Sequence, residues 1–179
     1  MIRSKKLIRN IFIIAVMFFI FFRCSNLYLT PLSAHEHSER SIHYGPSQVI
    51  HTENYEKGKY ILCKYDKWIS CNTVKRSLLL FWSFGTQPVG FKNKEEYALD
   101  YTWHVSDQYC QVYGAVNDKR VQKVRITLSN GETKAQTDFY GNLFLFTWES
   151  PGDTSIHLTR IQGFDAHDKE IYTNDGYGN

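Results

Sequence analysis

The sequence predicts an all-β fold, an antiparallel β-sandwich that follows an N-terminal hydrophobic helix. The first observation is that short segments of alternating apolar and polar residues recur about every ten residues in the second half of the chain. The second is that Gly, Asn and Asp separate these segments, and these residues are typical of tight turns. The third is an aromatic content of 16%, because Tyr and Phe favour strands and fill a small core. Together these observations favour a sandwich of short strands.

The N-terminus carries basic residues followed by an apolar run, residues 11–22, without a polar side chain. A run of this length is typical of a secretory signal, whereas a membrane-spanning helix needs about 20 residues. Residues 7–29 are long enough to span if the charges near their ends reach the interface. Two interpretations are therefore open: an uncleaved anchor, or a signal cleaved near residues 32–34. Both place the bulk of the chain outside the cell, because the basic residues precede the run.

Charge excludes one class of partner. The net charge is +3, and the five basic residues around the apolar run more than account for it. The remainder is slightly acidic without a basic stripe, so we do not expect nucleic-acid binding. The expected partners are a membrane, through residues 7–29 if they are not cleaved, and a cell-envelope protein or glycan. No cofactor is expected, because no Walker or dinucleotide-binding pattern occurs.

The first part of the exported region divides into two predicted segments. Residues 30–47 are expected to be a polar spacer, because they show no periodicity and approach a Gly-Pro pair. Residues 48–96 are predicted to be β-rich, with strands in "KYILCKY" and "WISCN". The segment "NTVKRSLLLFWSFG" fits a helix by the spacing of its apolar residues, but the short run ending at Gly85 favours a strand.

Residues 97–179 are predicted to form a β-domain. Asn130-Gly131 is the strongest short hairpin signal in the chain. Residues 143–148 are apolar on both faces, which predicts a central strand. A turn is expected at residues 151–153, and residues 156–164 and 169–172 are expected to form the last hairpin. Buried faces are predicted for two strands, from Tyr97, Leu99, Tyr101, Trp103 and Val105 in one and from Val124, Ile126 and Leu128 in the other.

The segments "GAVND", "VQKVRITLSNGE" and "TDFYGNLFLF" resemble transthyretin-like and Ig-like extracellular β-domains in the rhythm of their glycines and apolar residues. The segment "IQGFDAHDKEIYT" is similar to the closing hairpin of such domains. The whole layout resembles small exported Gram-positive bacterial proteins of unknown function. This resemblance implies a sandwich fold and a location outside the cytoplasm, and it implies no catalytic residue.

Two of the four cysteines are predicted to lie on one hairpin. If Asp66, Lys67 and Trp68 form its loop, Cys63 faces Cys71. Directly opposed residues in a non-hydrogen-bonded pair lie at disulfide distance. We therefore hypothesise a Cys63–Cys71 disulfide in an oxidising exterior. The alternative is that both are small buried side chains.

Three groups of polar residues are candidate sites, and we predict neither a metal site nor a catalytic site in any of them. The spacer histidines have ligand chemistry, but a solvated linker explains them. The acidic residues of the last hairpin lack the spacing of a calcium loop and are good turn residues. The His, Asp and Cys near residue 107 are residue types that can form a thiol nucleophile, its base and the group that orients the base, but their spacing does not require this role. The groups are His35, His37, His43 and His51; Asp165, Asp168 and Glu170; and His104, Asp107 and Cys110.

Aromatic residues are dense between residues 60 and 91, and we expect most of them in the core. Trp68 is the exception, because it lies at the predicted hairpin tip and is the candidate contact residue. The sequence therefore predicts a non-catalytic, envelope-associated binding or interaction module. The alternative is an exported hydrolase with an unrecognised active site. The aromatic group is Tyr60, Tyr65, Trp68, Phe81, Trp82, Phe84 and Phe91.

Overall fold

The computed structural model describes residues 2–78, 80–86, 90–105, 109–150 and 156–175. Within these residues the chain is mostly β, with two helices before the strands. The helices are α1 (Ile2–Cys24) and α2 (Pro31–Ser41). The strands are β1 (Gln48–Tyr55), β2 (Gly58–Tyr65), β3 (Trp68–Ser77), β4 (Phe81–Phe84), β5 (Phe91–Lys92), β6 (Leu99–Val105), β7 (Tyr109–Val116), β8 (Lys123–Leu128), β9 (Thr133–Gln136), β10 (Leu143–Glu149), β11 (Leu158–Phe164) and β12 (Glu170–Asp175).

The chain divides into two compact units. Unit 1 contains residues 1–46, 53–60 and 72–87, and unit 2 contains residues 47–52, 61–71 and 88–179. This division differs from the predicted one, which separates the chain at residue 97. The reason is that β1, β2 and β3 each contribute residues to both units.

Helix α2 occupies the segment expected to be a spacer. Thr30 caps it, because its Oγ1 accepts a hydrogen bond from the Ser33 backbone N–H at 3.1 Å. Pro31 follows at the first helical position, where a missing N–H costs nothing. One face of the helix is buried although its sequence is polar, and the buried residues are Ala34, His35, Ser38 and Glu39. Residues 31–41 are therefore a structural element and not a spacer.

The first sheet has the strand order β1-β2-β3-β4, with β5 pairing β3. The strand interpretation of "NTVKRSLLLFWSFG" is confirmed, since this segment supplies the end of β3 and all of β4. The turn between β2 and β3 is shorter than predicted. It consists of Asp66 and Lys67, with Asp66 at φ 53°, and Trp68 already belongs to β3.

Unit 2 contains two further antiparallel sheets, with orders β10-β7-β6 and β12-β11-β8-β9. The hairpin at Asn130-Gly131 is confirmed, and Gly131 has the left-handed φ of 85° that its turn requires. The last hairpin is also confirmed, as β11 and β12. β10 is buried on both faces as predicted, but among the described strands it lies at the end of its sheet and not in the centre. The turn predicted at residues 151–153 lies outside the described residues.

The core of unit 2 is an apolar cluster that takes residues from both of these sheets. Val124, Ile126 and Leu128 are buried in it, as predicted for β8. On β6 the predicted face is correct for Leu99, Tyr101 and Val105, but Trp103 and Tyr97 are exposed. Tyr97 lies two residues before β6 begins, so the alternation of side chains along the strand does not extend to it. The cluster is Leu99, Cys110, Val112, Val116, Val121, Val124, Ile126, Leu128, Phe144, Phe146, Trp148, Leu158 and Ile161.

A glycine inside β7 fits closely against its neighbour β6. A Cβ at Gly114 would lie 2.3 Å from the Asp100 carbonyl oxygen, so a larger side chain would displace one strand from the other.

Helix α1 exposes its apolar side chains. Ile11, Phe12, Ile13 and Ile14 are consecutive, and all four are exposed. At about 100° per residue, four consecutive positions cover the whole circumference of a helix. In the described part of the chain, no helix reaches the length and hydropathy needed to cross a bilayer.

Candidate functional site

A cleft of about 430 Å³ lies at the tip of the β2–β3 hairpin in unit 2. Trp68 lies beside it, because Trp68 is paired with Lys92 across β3 and β5. Directly opposed residues of an antiparallel pair present their side chains on the same face. Trp68 is 37% exposed, so part of its side chain is accessible to a ligand. The cleft is lined by Lys67, Lys92, Asn93, Lys94, Glu95 and Glu96.

The loop after β5 is held in place by Asn117, which follows β7. Asn117 Nδ2 donates to the carbonyl oxygens of Lys94 and Tyr97, at 3.2 and 3.0 Å. Its side chain also exchanges hydrogen bonds with the amide of Asn93, at 2.9 and 3.1 Å. The Asn93 backbone N–H donates to the Lys67 carbonyl at 2.8 Å, which ties the loop to the hairpin turn. The lysines of the cleft are therefore carried by a backbone that is fixed before any ligand arrives.

The charge of the cleft is positive by one, because three lysines line it against two glutamates. Lys67 Nζ lies 4.0 Å from Glu95 Oε1, and both side chains are exposed. An exposed ion pair of this kind contributes little to stability, so an anionic ligand can replace the glutamate. Lys94 Nζ lies 5.6 Å from the centre of the Tyr97 ring, a cation–π distance. An open indole next to lysines suits a ligand with both an apolar face and a negative charge.

A second cluster of polar side chains is buried in unit 1. His35 and Glu39 lie one turn apart on α2, and His35 Nε2 is 3.3 Å from Glu39 Oε1. On the other side of the ring, His35 Nδ1 is 3.3 Å from Asn72 Nδ2 of β3. All three side chains are almost completely buried. We call these three residues the His35 cluster.

The contacts of the His35 cluster fit one neutral tautomer of its histidine. The Asn72 amide nitrogen only donates, so His35 Nδ1 accepts and carries no proton. His35 Nε2 then carries the proton and donates to the Glu39 carboxylate. Burial lowers the pKa of His35, because it penalises the charged ring, and the negative charges of Glu39 and Glu36 oppose this shift. Asn72 Oδ1 is buried and has no hydrogen-bond partner among the described residues.

A cleft of about 330 Å³ opens at the C-terminal end of α2 and reaches Glu39. Glu39 is therefore both a lining residue of this cleft and the partner of the buried His35 ring. Arg40 and Glu36 form an exposed pair on the same helix, with Arg40 Nη2 3.6 Å from Glu36 Oε2. The cleft is lined by Glu36, Glu39, Arg40, His43, Tyr44, Gly45 and Pro46.

The spacer histidines have separate environments. His35 is buried, which corrects the expectation of a solvated linker at this position. His37 lies two residues further along α2, is exposed, and has its ring 5.0 Å from that of Tyr28. His43 has a left-handed φ of 55°, and His51 in unit 2 stacks on Tyr140 at 3.6 Å.

The other polar candidates have structural surroundings. Cys110 is fully buried in the apolar cluster, and His104 is paired with Gln111 one position away. Asp107 lies outside the described residues. Asp165 accepts hydrogen bonds from the backbone N–H groups of His167 and Lys169, at 2.8 and 3.0 Å. These bonds lower the pKa of Asp165 and identify it as a turn residue.

Asp168 and Glu170 each contact a side chain on a neighbouring strand. Asp168 forms an ion pair with Lys123, and Glu170 accepts a hydrogen bond from Gln162. In the aromatic group, Tyr60 is buried, Tyr65 and Trp68 are exposed, and the others are half-buried. The exposure predicted for Trp68 is present, and its role in binding stays a prediction.

Cys63 and Cys71 are both fully buried, on β2 and β3. The turn between these strands has two residues, Asp66 and Lys67, whereas the predicted pairing of Cys63 with Cys71 assumes a loop of three. The predicted disulfide stays a prediction. Intact mass after alkylation under denaturing conditions, with and without prior reduction, tests it: an equal number of alkylated thiols in both samples excludes the bond.

The sequence analysis identified neither the His35 cluster nor the lysines of the cleft beside Trp68, for different reasons. His35 and Glu39 have the i, i+4 spacing of a helix pair, and Thr30-Pro31 is a helix-start signal, so α2 and its pair were detectable. The lysines of the cleft beside Trp68 come from the β2–β3 turn, from β5 and from the segment that follows β5. No local pattern joins these two segments, and none indicates the role of Asn117.

Comparisons with models of protein families, with curated proteins and with solved structures found no match to this chain.

Proposed function

We propose that this chain is an exported, membrane-tethered β-sandwich protein whose outer part is a non-catalytic binding module. Its ligand is an anionic glycan of the cell envelope, and its site is the cleft beside Trp68. The observation that carries this proposal is the partly exposed indole of Trp68 next to a cleft lined by three lysines, where hydrogen bonds from Asn117 hold the loop after β5.

An anionic glycan fits both parts of this site. The flat face of an indole packs against the C–H groups of a sugar ring, and lysines pair with a carboxylate or phosphate on the same chain. The loop needs little ordering on binding, because Asn117 already fixes its backbone.

Two features support the remaining parts of the proposal. The sandwich, of the transthyretin-like or Ig-like type, is supported by an apolar cluster that takes residues from two antiparallel sheets. Tethering is supported by α1, whose apolar side chains are exposed around its whole circumference. Such a surface favours lipid over water.

The binding site is tested with the full-length protein in detergent. The heat of binding is measured by isothermal titration calorimetry while soluble peptidoglycan fragments, or a polyglycerol phosphate, are added, because this signal does not depend on a tryptophan at the site. We expect saturable binding that Trp68→Ala abolishes and that raised salt weakens, because the lysines pair with anions. Trp103→Ala is the matched control, since Trp103 is an exposed tryptophan of unit 2 outside the cleft.

Equal binding by the two tryptophan variants would reject the cleft as the site. Asn117→Ala gives an independent check, because it keeps every cleft side chain and removes only the bonds that hold the loop. We expect weaker binding in this variant, and unchanged binding would reject the argument for a preformed loop.

The tether is tested by the intact mass of the protein in membrane and medium fractions. A full-length mass in the membrane fraction is expected. A shortened mass that begins near residue 35, found in the medium, would instead establish a cleaved signal and a free secreted protein.

An exported hydrolase is the second candidate, and the His35 cluster is the observation that favours it. A buried carboxylate paired with an imidazole is a candidate general acid or base, and Glu39, which lines a cleft, is paired with His35 in this way. Turnover of ester, peptide or peptidoglycan substrates that is lost in Glu39→Gln, while the variant keeps its fold, would establish this function. Turnover that Glu39→Gln retains would exclude the cluster as its source.

A further inference from the structure

We infer that the tip of the β3–β4 hairpin lies in the headgroup layer of the same membrane that holds α1. This inference rests on the proposed tether, and it adds a second membrane contact within unit 1. The contact surface consists of Leu78 and Leu80 at the hairpin tip and Leu29 between α1 and α2, and we call it the leucine tip.

The leucine tip exposes more apolar surface than an ordinary turn does. Leu78 and Leu80 are 69% and 76% exposed, and Leu29 is 75% exposed. Turns on water-facing surfaces are normally built from Gly, Asn, Asp or Ser. A cluster of exposed leucines therefore marks a surface that meets an apolar environment.

The backbone at this turn also departs from ordinary turn chemistry. Leu78 has a φ of 46°, in the left-handed region that favours glycine and is costly for a leucine. The Leu80 backbone N–H donates to the Leu78 carbonyl oxygen at 2.6 Å, which closes the turn tightly. A strained turn that presents a leucine where glycine would fit better points to a role for the side chain.

The leucine tip is joined to the end of α1 by backbone hydrogen bonds. Tyr28 follows α1 closely in the chain and forms a bridge with Trp82 of β4. The two backbone N–H···O=C bonds of this bridge are both 2.7 Å long. Leu29 and Leu80 lie near this bridge in sequence, so both are held where the chain leaves α1. A membrane that surrounds α1 is therefore the apolar phase within reach of the leucine tip.

The residues behind the leucine tip are those of a lipid interface. Lys75 and Arg76 are exposed on β3 next to the turn, and their charges suit anionic lipid headgroups. Arg76 Cζ lies 5.4 Å from the centre of the Trp82 ring, and Trp82 is half-buried. Tryptophan and basic side chains are enriched at the headgroup level of membrane proteins. The order of apolar tip, aromatic ring and cation therefore matches the polarity gradient of a bilayer.

The test uses Trp82 as a reporter in the full-length protein. The protein is reconstituted in vesicles of phosphatidylcholine and phosphatidylglycerol, with a doxyl quencher placed near the headgroup. We expect the quencher to remove part of the tryptophan emission, and this part to be missing in Trp82→Phe. Trp103→Phe is the matched control and should keep it. Replacing both Leu78 and Leu80 by Gln should also reduce the quenching, and far-UV circular dichroism checks that this variant is folded.

The outcomes separate the inference from the proposals on which it rests. Equal quenching in wild type and Trp82→Phe, in protein that resists alkaline carbonate, overturns the leucine tip as a lipid contact and leaves the tether intact. Release of the protein by carbonate overturns both. Glycan binding at Trp68 is measured separately in detergent and is unaffected by either result. Quenching that is lost on omitting phosphatidylglycerol and that the two Leu→Gln replacements leave unchanged would overturn the leucines as the contact.

Discussion

Helix α2 of unit 1 and the apolar cluster of unit 2 bury side chains of opposite chemistry. The buried face of α2 contains His35, Ser38 and Glu39, whereas the cluster in unit 2 consists of aliphatic and aromatic side chains with one cysteine. A polar interior depends on each hydrogen bond and on protonation. An apolar interior depends on volume and packing. The two regions should therefore respond to different perturbations, and four predictions test this contrast, from the largest expected effect to the smallest.

Phe144→Ala should destabilise unit 2 the most. Phe144 is fully buried in the apolar cluster, and its removal leaves a cavity that costs about 4 kcal/mol of the free energy of unfolding. Hydrogen exchange of peptides from β10 and β7 measures the effect. Tyr97→Ala is the control, because Tyr97 is exposed. If both variants behave alike, β10 does not form the core.

His35→Ala should destabilise unit 1 by about 3 kcal/mol, because it leaves the Glu39 carboxylate buried without its imidazole partner. Hydrogen exchange of α2 peptides measures this loss. His37→Ala is the matched control, since His37 is exposed on the same helix. Adding Glu39→Gln to His35→Ala should recover part of the stability, because it removes the unpaired charge. A double variant less stable than His35→Ala would contradict this explanation.

Acidification should weaken unit 1 and leave the apolar cluster unchanged. The pKa of His35 in the folded protein is lowered from 6.5 by burial, so the unfolded chain takes up a proton first as the pH falls. Stability is therefore fully present above pH 6.5 and declines from there down to the lowered pKa of the folded state. Hydrogen exchange of α2 peptides, corrected for the intrinsic pH dependence, should show this decline. His35→Gln should flatten it, and an unchanged slope in His35→Gln would assign the titration to another group.

Thr30→Ala should have the smallest effect, about 1 kcal/mol, because it removes the oxygen that caps α2. Thr30→Ser keeps that oxygen and should remain close to wild type. Helix content by circular dichroism and exchange of α2 peptides measure both variants. A Ser variant as unstable as the Ala variant would show that the methyl group, and not the cap, is responsible.

The strands of the apolar cluster were predictable because their signals are local. In β8, Val124, Ile126 and Leu128 alternate with polar residues, and the burial follows the alternation. Asn130-Gly131 defines its turn by backbone preference alone. Trp68 was predicted to be exposed from its place near a hairpin tip, and it is.

The order of the strands and the buried face of α2 were not predictable in the same way. The apolar residues on both faces of β10 predict a central strand. In its sheet, however, β10 pairs only with β7 among the described strands. The polar sequence of α2 predicts a solvent-exposed segment. Burial of His35 and Glu39 requires a hydrogen-bond partner, and the local sequence does not contain one. That partner is Asn72, 37 residues away in the chain.

The sequence by itself determined most strands of the apolar cluster and the turn at Asn130-Gly131, because alternation and turn preferences act between residues close in the chain. Only the tertiary structure decided which polar side chains are buried, and which lysines share a cleft with Trp68. Both depend on contacts between distant segments, such as His35 with Asn72 and Asn93 with Asn117. A charged or polar side chain is stable inside a protein only when such a contact satisfies it, and the contact exists only once the chain has folded.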